Sequence, residues 1–220
     1  MNPTLTEIDQ LWQIPAPCPG PLGLACDGPN LWVGCGETRR IYGINARQGT
    51  VFEEATAPAK PYGMCVTGDA LRVIIAEDET DNRTIRRYIF GKDFKKTEAI
   101  RCPDDTGSFL AYDGDSFFVS QRFDQRIVEI DESGKVLRTL PTPGQVTGMT
   151  IVSGRFYLVI TVDAKSKDYK LVRIDARGSD LEIVELAAFP FVARSLGYDG
   201  SRFWTHDRDA RKIVAFSKTD

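Results

Sequence analysis

The chain contains one histidine, His206, which an aspartate follows directly in the segment Trp204-Thr-His-Asp207. Histidine changes charge near neutral pH, so a lone histidine oriented by a carboxylate can serve as a general base. His206 and Asp207 are therefore the candidate catalytic pair. In the alternative interpretation, His206 is a structural residue at the end of a strand and is hydrogen-bonded to a neighbouring loop.

Cysteine and acidic side chains offer two further kinds of chemistry. The thiol of Cys35 could act as a nucleophile next to His206, although cysteine more commonly packs as a small buried residue. A single histidine excludes a multi-histidine zinc site. Calcium would need several oxygen ligands, which could come from Glu77, Asp105, Asp124, Asp163 and Asp207. No calcium-loop motif joins these acids, so the sequence predicts no metal and no other cofactor.

The elements that position these residues belong to a repeat of about 43 residues. A turn glycine recurs with gaps of 40, 46, 40 and 46 residues, at Gly28, Gly68, Gly114, Gly154 and Gly200. Each glycine precedes an apolar run, a polar loop and a second alternating run, and each copy closes on a further run that ends near a proline. Short alternating runs of this kind predict half-buried strands. Four strands per copy at this period are typical of a propeller blade.

The fifth copy stops one strand early, and the N-terminus supplies a matching segment. Leu11–Pro17 is similar to Leu137–Pro143, which ends the third copy. We therefore expect an all-β, five-bladed β-propeller in which the N-terminal strand, roughly 7–14, pairs with Lys212–Phe216 and covers that edge. The alternative is an open stack of sheets or a sandwich. The predicted single domain comprises a closing segment, 1–17, and blades at 18–58, 59–103, 104–143, 144–190 and 191–220.

In a propeller, the loops before the innermost strands and the loops between second and third strands share one face, at the mouth of the central channel. Ligand sites favour such convergent concave positions. The basic residues Lys60, Arg122, Arg194 and Arg208 fall in these loops. They could form a positive rim that suits a carboxylate or a phosphate, or they could be ordinary solvated charges. The remaining candidate ligand-binding residues are Cys35, Tyr62, Asp105 and Gln145.

Two segments resemble a known repeat. Gly23–Val33 and Phe203–Ile213 are similar to the repeat of NHL, virginiamycin B lyase-like and gluconolactonase-like propellers. This resemblance covers the whole chain at the level of the repeat and implies a fold more than an activity. Resemblance to the lyase-like enzymes implies that a His and a Glu near the channel mouth carry the activity. Here these could be His206 and either Glu37 or Glu77. The lactonases imply a Glu/Asn/Asp metal site, but the innermost strands here contain no asparagine.

The first blade resembles a second family. Gly36–Val51 is similar to the repeat of the plant-type glutaminyl cyclotransferases, which are five-bladed. That family carries an acidic residue after its aromatic second strand. The corresponding stretch here is Trp32-Val-Gly-Cys35, and the nearest acid is Glu37, a few residues further on.

Composition excludes several classes of partner. The chain has 220 residues, of which 28 are basic and 31 acidic, and these are intermixed to a net charge of −3. The absence of a basic stripe argues against nucleic-acid and anionic-membrane binding. No signal sequence or membrane span is recognisable. Five cysteines, an odd number without a CxxC pair, predict free thiols and a cytoplasmic location.

Together these features favour a monomeric, non-catalytic propeller that binds a small molecule or a protein on its channel-mouth face. The alternative is a small hydrolase, lyase or cyclotransferase that uses His206, Asp207 and a nearby carboxylate at the same mouth.

Overall fold

The computed structural model describes residues 5–77, 82–163, 165, 167–176 and 181–217. These residues form five antiparallel sheets of four strands each. The innermost strands of successive sheets contact one another, and the last contacts the first, which closes a ring. The sequence-based expectation of a five-bladed β-propeller is therefore confirmed. No helix in the described ranges has the length and apolar character needed to cross a membrane.

The strands follow the repeat. Blade 1 consists of β2 (Pro21–Asp27), β3 (Asn30–Cys35), β4 (Arg40–Asn45) and β5 (Val51–Thr56). Blade 2 consists of β6 (Lys60–Thr67), β7 (Ala70–Ala76), β8 (Arg83–Ile89) and β9 (Phe94–Arg101). A short 3₁₀ turn, Pro103–Asp105, leads to blade 3, with β10 (Phe109–Tyr112), β11 (Phe117–Gln121), β12 (Arg126–Ile130) and β13 (Val136–Pro141).

Blade 4 consists of β14 (Gln145–Val152), β15 (Arg155–Thr161), β16 (Tyr169–Asp175) and β17 (Glu182–Phe189). Blade 5 takes three strands from the C-terminus, β18 (Ala193–Tyr198), β19 (Arg202–Asp207) and β20 (Lys212–Ser217). Its outer strand is β1 (Gln10–Pro15), which pairs with β20 so that Ile14 lies opposite Ile213. The predicted closure of the ring by the N-terminal strand is confirmed.

The hydrophobic core is divided among the interfaces between blades. Each of the five buried clusters draws its residues from two neighbouring blades, including blades 5 and 1. Large aromatic side chains of the second strands fill these interfaces: Trp32 stacks on Phe90 of blade 2, with ring centroids 4.7 Å apart. A single blade could not bury both faces of its sheet, so the blades stabilise one another through these clusters.

A disulfide joins Cys18, which follows the closing strand, to Cys35, the last residue of β3. The prediction of five free thiols is therefore wrong for this pair, whereas Cys26, Cys65 and Cys102 are free. The sequence contained no paired-cysteine motif, and it is the β2–β3 hairpin, in which Pro21 lies opposite Cys35, that brings Cys18 next to the end of β3. The bond ties the segment that enters blade 1 to the second strand of that blade, whereas the ring itself is closed by the backbone pairing of β1 with β20.

Candidate functional site

Loops of blades 3, 4 and 5 enclose a cavity of about 240 Å³ on the channel-mouth face. We call it the arginine cavity. Its lining comprises Arg122, Thr147, Tyr169, Val192, Ala193, Arg194, Arg208 and Asp209. Most of these residues lie within a residue or two of a strand end: Arg122 follows β11, Arg194 is the second residue of β18, and Arg208 follows β19. Strand ends of different blades meet at this face, and three guanidinium groups are thereby brought together.

The backbone that carries Arg194 is held in an unusual conformation. The pairing of β18 with β19 is irregular between Arg194 and Gly197, and Ser195 has a φ of 60°. The hydroxyl of Thr205 donates to the carbonyl oxygen of Ser195 at 2.8 Å and to that of Arg194 at 3.2 Å. A left-handed non-glycine residue in a strand usually indicates a local constraint. This bulge fixes where the Arg194 side chain leaves the strand.

A close contact between blades supports the same bulge. A Cβ atom added at Gly148 would lie 2.5 Å from the carbonyl carbon of Ser195. Only glycine therefore allows blade 4 to approach blade 5 this closely. The hydroxyl of Thr147, the preceding residue, donates to the carbonyl oxygen of Ala193 at 3.1 Å. The position of Arg194 thus depends on blade 4 as well as on its own blade.

The arginine cavity is positively charged. Burial, followed by the charges of Arg208 and Arg122, lowers the pKa of Arg194 to about 10. Burial also lowers the pKa of Arg122. Both groups remain protonated at neutral pH. The arginines therefore repel one another in a partly desolvated cavity, where repulsion between like charges is strong.

Few acceptors balance these charges. Arg122 donates from Nε to Oε1 of Gln145 at 3.1 Å. The Nε of Arg194 is buried without an acceptor among the described residues. Asp209 lines the cavity, but its carboxylate lies 3.4 Å from Nζ of Lys167. Within the described part of the chain, no carboxylate forms an ion pair with Arg122, Arg194 or Arg208.

A second, larger cavity of about 600 Å³ adjoins the same face and shares Arg122. Its other lining residues are Asn82, Arg83, Asp104, Asp105, Thr106, Ser108, Phe123 and Asp124. The carboxylates here have basic partners: Asp105 with Arg101, and Asp104 with Arg126 at 2.7 Å. Phe123 stands beside Arg122, whose guanidinium carbon is 5.6 Å from the centre of the ring.

His206 is fully buried and lines neither cavity. Its Nδ1 lies 2.8 Å from the hydroxyl oxygen of Ser195, and its Nε2 has no partner among the described residues. Burial and the charge of Arg194 lower the pKa of His206 to about 3, so the ring is neutral at physiological pH. The ring is therefore a structural support for the bulge that carries Arg194.

Asp207 does not orient His206. Successive side chains of a strand point to opposite faces of the sheet, and the carboxylate of Asp207 accepts from the backbone N–H of Ala210 at 3.0 Å. The predicted pairing of His206 with Asp207 is wrong for this reason. The alternative interpretation expected a structural histidine bonded to a neighbouring loop; the partner of His206 is instead Ser195 of the adjacent strand β18.

The buried histidine makes stability depend on pH. The unfolded chain binds a proton at His206 below a pKa of about 6.5, whereas the folded state resists protonation down to about 3. Stability is therefore lost as the pH falls below 6.5, by about 2 kcal/mol between pH 7 and pH 5 from this group alone. His206→Gln keeps a hydrogen-bonding group near Ser195 but does not titrate. We therefore expect its free energy of unfolding to fall by about 2 kcal/mol less than that of the wild type between pH 7 and pH 5. Urea unfolding of both proteins at the two pH values measures the difference, and equal losses would contradict the assignment.

The other predicted site residues are distributed around the mouth. Gln145 reaches the arginine cavity through Arg122, and Asp105 lines the larger cavity. Tyr62 lies beneath the guanidinium of Arg83, 3.9 Å from the ring centre, and Lys60 stands 5.2 Å from the same ring. Lys60 and Tyr62 line neither cavity. Cys35 is buried in its disulfide and offers no thiol, so the hypothesis of a nucleophile at this position is wrong.

Acidic residues do not gather into a cation site. Within the ranges that the structure describes, no group of three or more His, Cys, Asp or Glu side chains is placed to hold a metal ion. The residues considered for calcium, from Glu77 to Asp207, are thus not brought together there.

Sequence reasoning missed Tyr169 and Phe123. Tyr169 begins β16 opposite Thr161, one residue before Lys170. Lys170 takes the place in the repeat that Arg40, Arg126 and Lys212 hold in their blades, so the repeat gave no signal for Tyr169. Phe123 is a large apolar residue inside a polar loop, which was the available signal for it.

Comparison with known proteins agrees with this architecture. No protein-family model matches the chain, and no match was found among characterised protein sequences. Glutaminyl cyclase of Myxococcus xanthus superposes with a TM-score of 0.71 at 11% identity, over 96% of this chain and 97% of that one. Hydrazine synthase of Kuenenia stuttgartiensis gives a TM-score of 0.53 at 18% identity, over 93% of this chain and 58% of that one. At these identities the likeness shows the fold, a five-bladed β-propeller whose structural neighbours include glutaminyl cyclase.

Proposed function

We propose that the protein binds a small anionic molecule, through a carboxylate or a phosphate, in the arginine cavity. The observation that carries this proposal is the convergence of Arg122, Arg194 and Arg208 without a carboxylate partner among the described residues. Arginine presents a planar fork of donors that matches carboxylates and phosphates. An anion in the cavity would relieve the repulsion among the three groups.

The same arrangement is unfavourable for folding alone. A buried charge without a partner costs free energy, because desolvation is not offset by attraction. Protein structures usually pair such groups or move them to the surface. Destabilising arrangements of this kind are common where function requires them, and this supports ligand binding in preference to a purely structural role.

The described residues favour binding over catalysis. His206 is neutral, buried and lines neither cavity, and the carboxylates Asp104, Asp105 and Asp209 are engaged with basic side chains. No described acid–base pair therefore faces the cavity. The fold shared with glutaminyl cyclase keeps cyclotransferase activity as the second candidate. The sequence likeness to NHL, virginiamycin B lyase-like and gluconolactonase-like repeats concerns the fold and does not indicate which ligand is bound.

Replacement of Arg194 tests the proposal. We expect Arg194→Met to weaken binding of inorganic phosphate or a dicarboxylate at least tenfold, because a charge-assisted hydrogen bond is lost. The same change should raise the free energy of unfolding by about 1–3 kcal/mol, since it removes an unpaired buried charge. Calorimetric titration measures the first effect, and thermal unfolding without ligand measures the second.

The matched control is Arg47→Met, an exposed arginine in the turn between β4 and β5. It should leave both the affinity and the stability unchanged. The proposal is overturned if phosphate and dicarboxylates stabilise the wild type no more than chloride at equal ionic strength, or if Arg194→Met binds them as well as the wild type does. Cyclisation of a peptide with an N-terminal glutamine would instead support the second candidate.

A further inference from the structure

We propose that the anionic ligand carries an apolar group, of about the size of a phenyl ring, which packs against Phe123 while the carboxylate or phosphate occupies the arginine cavity. This inference rests on the proposed function and names the class of ligand: a small organic anion with one charged end and one apolar end.

The two most exposed large hydrophobic side chains of the described residues are Phe123, at 81%, and Val162, at 68%. Isolated apolar residues on a surface are ordinary. These two, however, follow the second strands of adjacent blades and lie on the same face. The other exposed large hydrophobic residues of the described chain, such as Leu137 of β13, lie on the outermost strands of their blades.

Phe123 lines the larger cavity, whereas Val162 lines neither cavity. Phe123 follows Arg122 directly and lines the larger cavity with it. Val162 follows Thr161, which pairs with Gln145, the residue that accepts a hydrogen bond from Arg122. The guanidinium of Arg122 therefore stands between the charged cavity and an exposed phenyl ring. A ligand that reached from one cavity to the other would bury apolar surface against Phe123.

The sizes of the cavities agree with a small molecule. Pockets for small ligands commonly enclose ~300–1,000 Å³ and combine apolar walls with a few polar anchors. The arginine cavity, about 240 Å³, suits a charged group with little else. The larger cavity, about 600 Å³, has room for the rest of a small organic anion and supplies Phe123 as its main apolar surface.

Matched pairs of ligands test this inference: propionate against 3-phenylpropionate, and methyl phosphate against phenyl phosphate. We expect each phenyl compound to bind the wild type about tenfold tighter than its partner, because the ring gains apolar contact. Phe123→Ala should remove this gain and leave the affinities for propionate and methyl phosphate unchanged. Leu137→Ala, which shortens an apolar side chain that is 49% exposed on an outer strand, is the control and should keep the gain.

The possible failures can be told apart. Equal affinities within each pair would overturn the inference and leave the proposed anion binding intact. A phenyl gain that survives in Phe123→Ala would also overturn it, since the ring would then lie elsewhere. If no compound of either pair binds the wild type, both this inference and the proposed function fail. Arg194→Met should weaken the binding of all four compounds, whereas Phe123→Ala should weaken the binding of the two phenyl compounds only.

Discussion

A chain that starts at Ala16 should melt about 10–20 °C below the full chain and aggregate on heating. The truncation removes β1 and leaves the edge of β20 without its partner. It also removes Ile8 and Ile14, which are 5% and 4% exposed. Burial of each isoleucine contributes about 1.5–3 kcal/mol. Ile8 further donates from its backbone N–H to the carbonyl oxygen of Ala188 at 3.0 Å, which links the N-terminal segment to blade 4.

Point variants separate this effect from a general effect of truncation. Ile14→Ala should cost about 2–5 kcal/mol. Leu11→Ser, in the same strand but 50% exposed, should cost less than about 1 kcal/mol. Trp12 is also 47% exposed, so the closing strand is held mainly by Ile8, Ile14 and its backbone pairing. A truncated protein that melted within a degree or two of the full chain would contradict the closure as a source of stability.

Loss of the Cys18–Cys35 disulfide should lower the free energy of unfolding by about 3 kcal/mol and the melting temperature by about 6–12 °C. The bond links residues 17 positions apart and restricts the unfolded chain. It also holds the segment after β1 against blade 1. Cys18→Ser combined with Cys35→Ser, or reduction of the wild type with a strong reductant, should have the same effect, and thermal unfolding measures both.

Two controls accompany this experiment. Reductant should not change the melting temperature of the double serine variant. In denaturant without reductant, three thiols should react with a thiol reagent, those of Cys26, Cys65 and Cys102. Five reactive thiols, or a wild type whose melting temperature ignores the reductant, would show that the disulfide does not form in the isolated protein.

The repeat allowed the architecture to be predicted because its signals are local. Turn glycines and alternating strands occur within each copy, so the period could be read without knowing how the copies meet. Closure required one distant comparison, between Leu11–Pro17 and Leu137–Pro143. The pairing of Ile14 with Ile213 agrees with that comparison. The fifth blade lacks its outer strand, and the N-terminal strand pairs with the open edge of β20.

The candidate site was predicted in part. Arg122, Arg194 and Arg208 were placed on the channel-mouth face, since loop positions follow from the repeat. His206 and Asp207 were paired because they are neighbours in sequence, but strand geometry directs them to opposite faces. The partner of His206 is Ser195, which lies on another strand of the same blade. Sequence proximity was misleading here because hydrogen bonds in a sheet form between strands.

The sequence by itself determined the number of blades, the strand that closes the ring, and the face on which the loops gather. Only the tertiary structure decided which loop side chains meet, and that His206 is buried while Arg194 borders a cavity. The reason is physical. Strands and turns form from contacts within one copy of the repeat, whereas burial and charge repulsion depend on how closely neighbouring blades pack. That spacing is set by the aromatic and aliphatic side chains between the blades, together with glycines such as Gly148 that permit close approach.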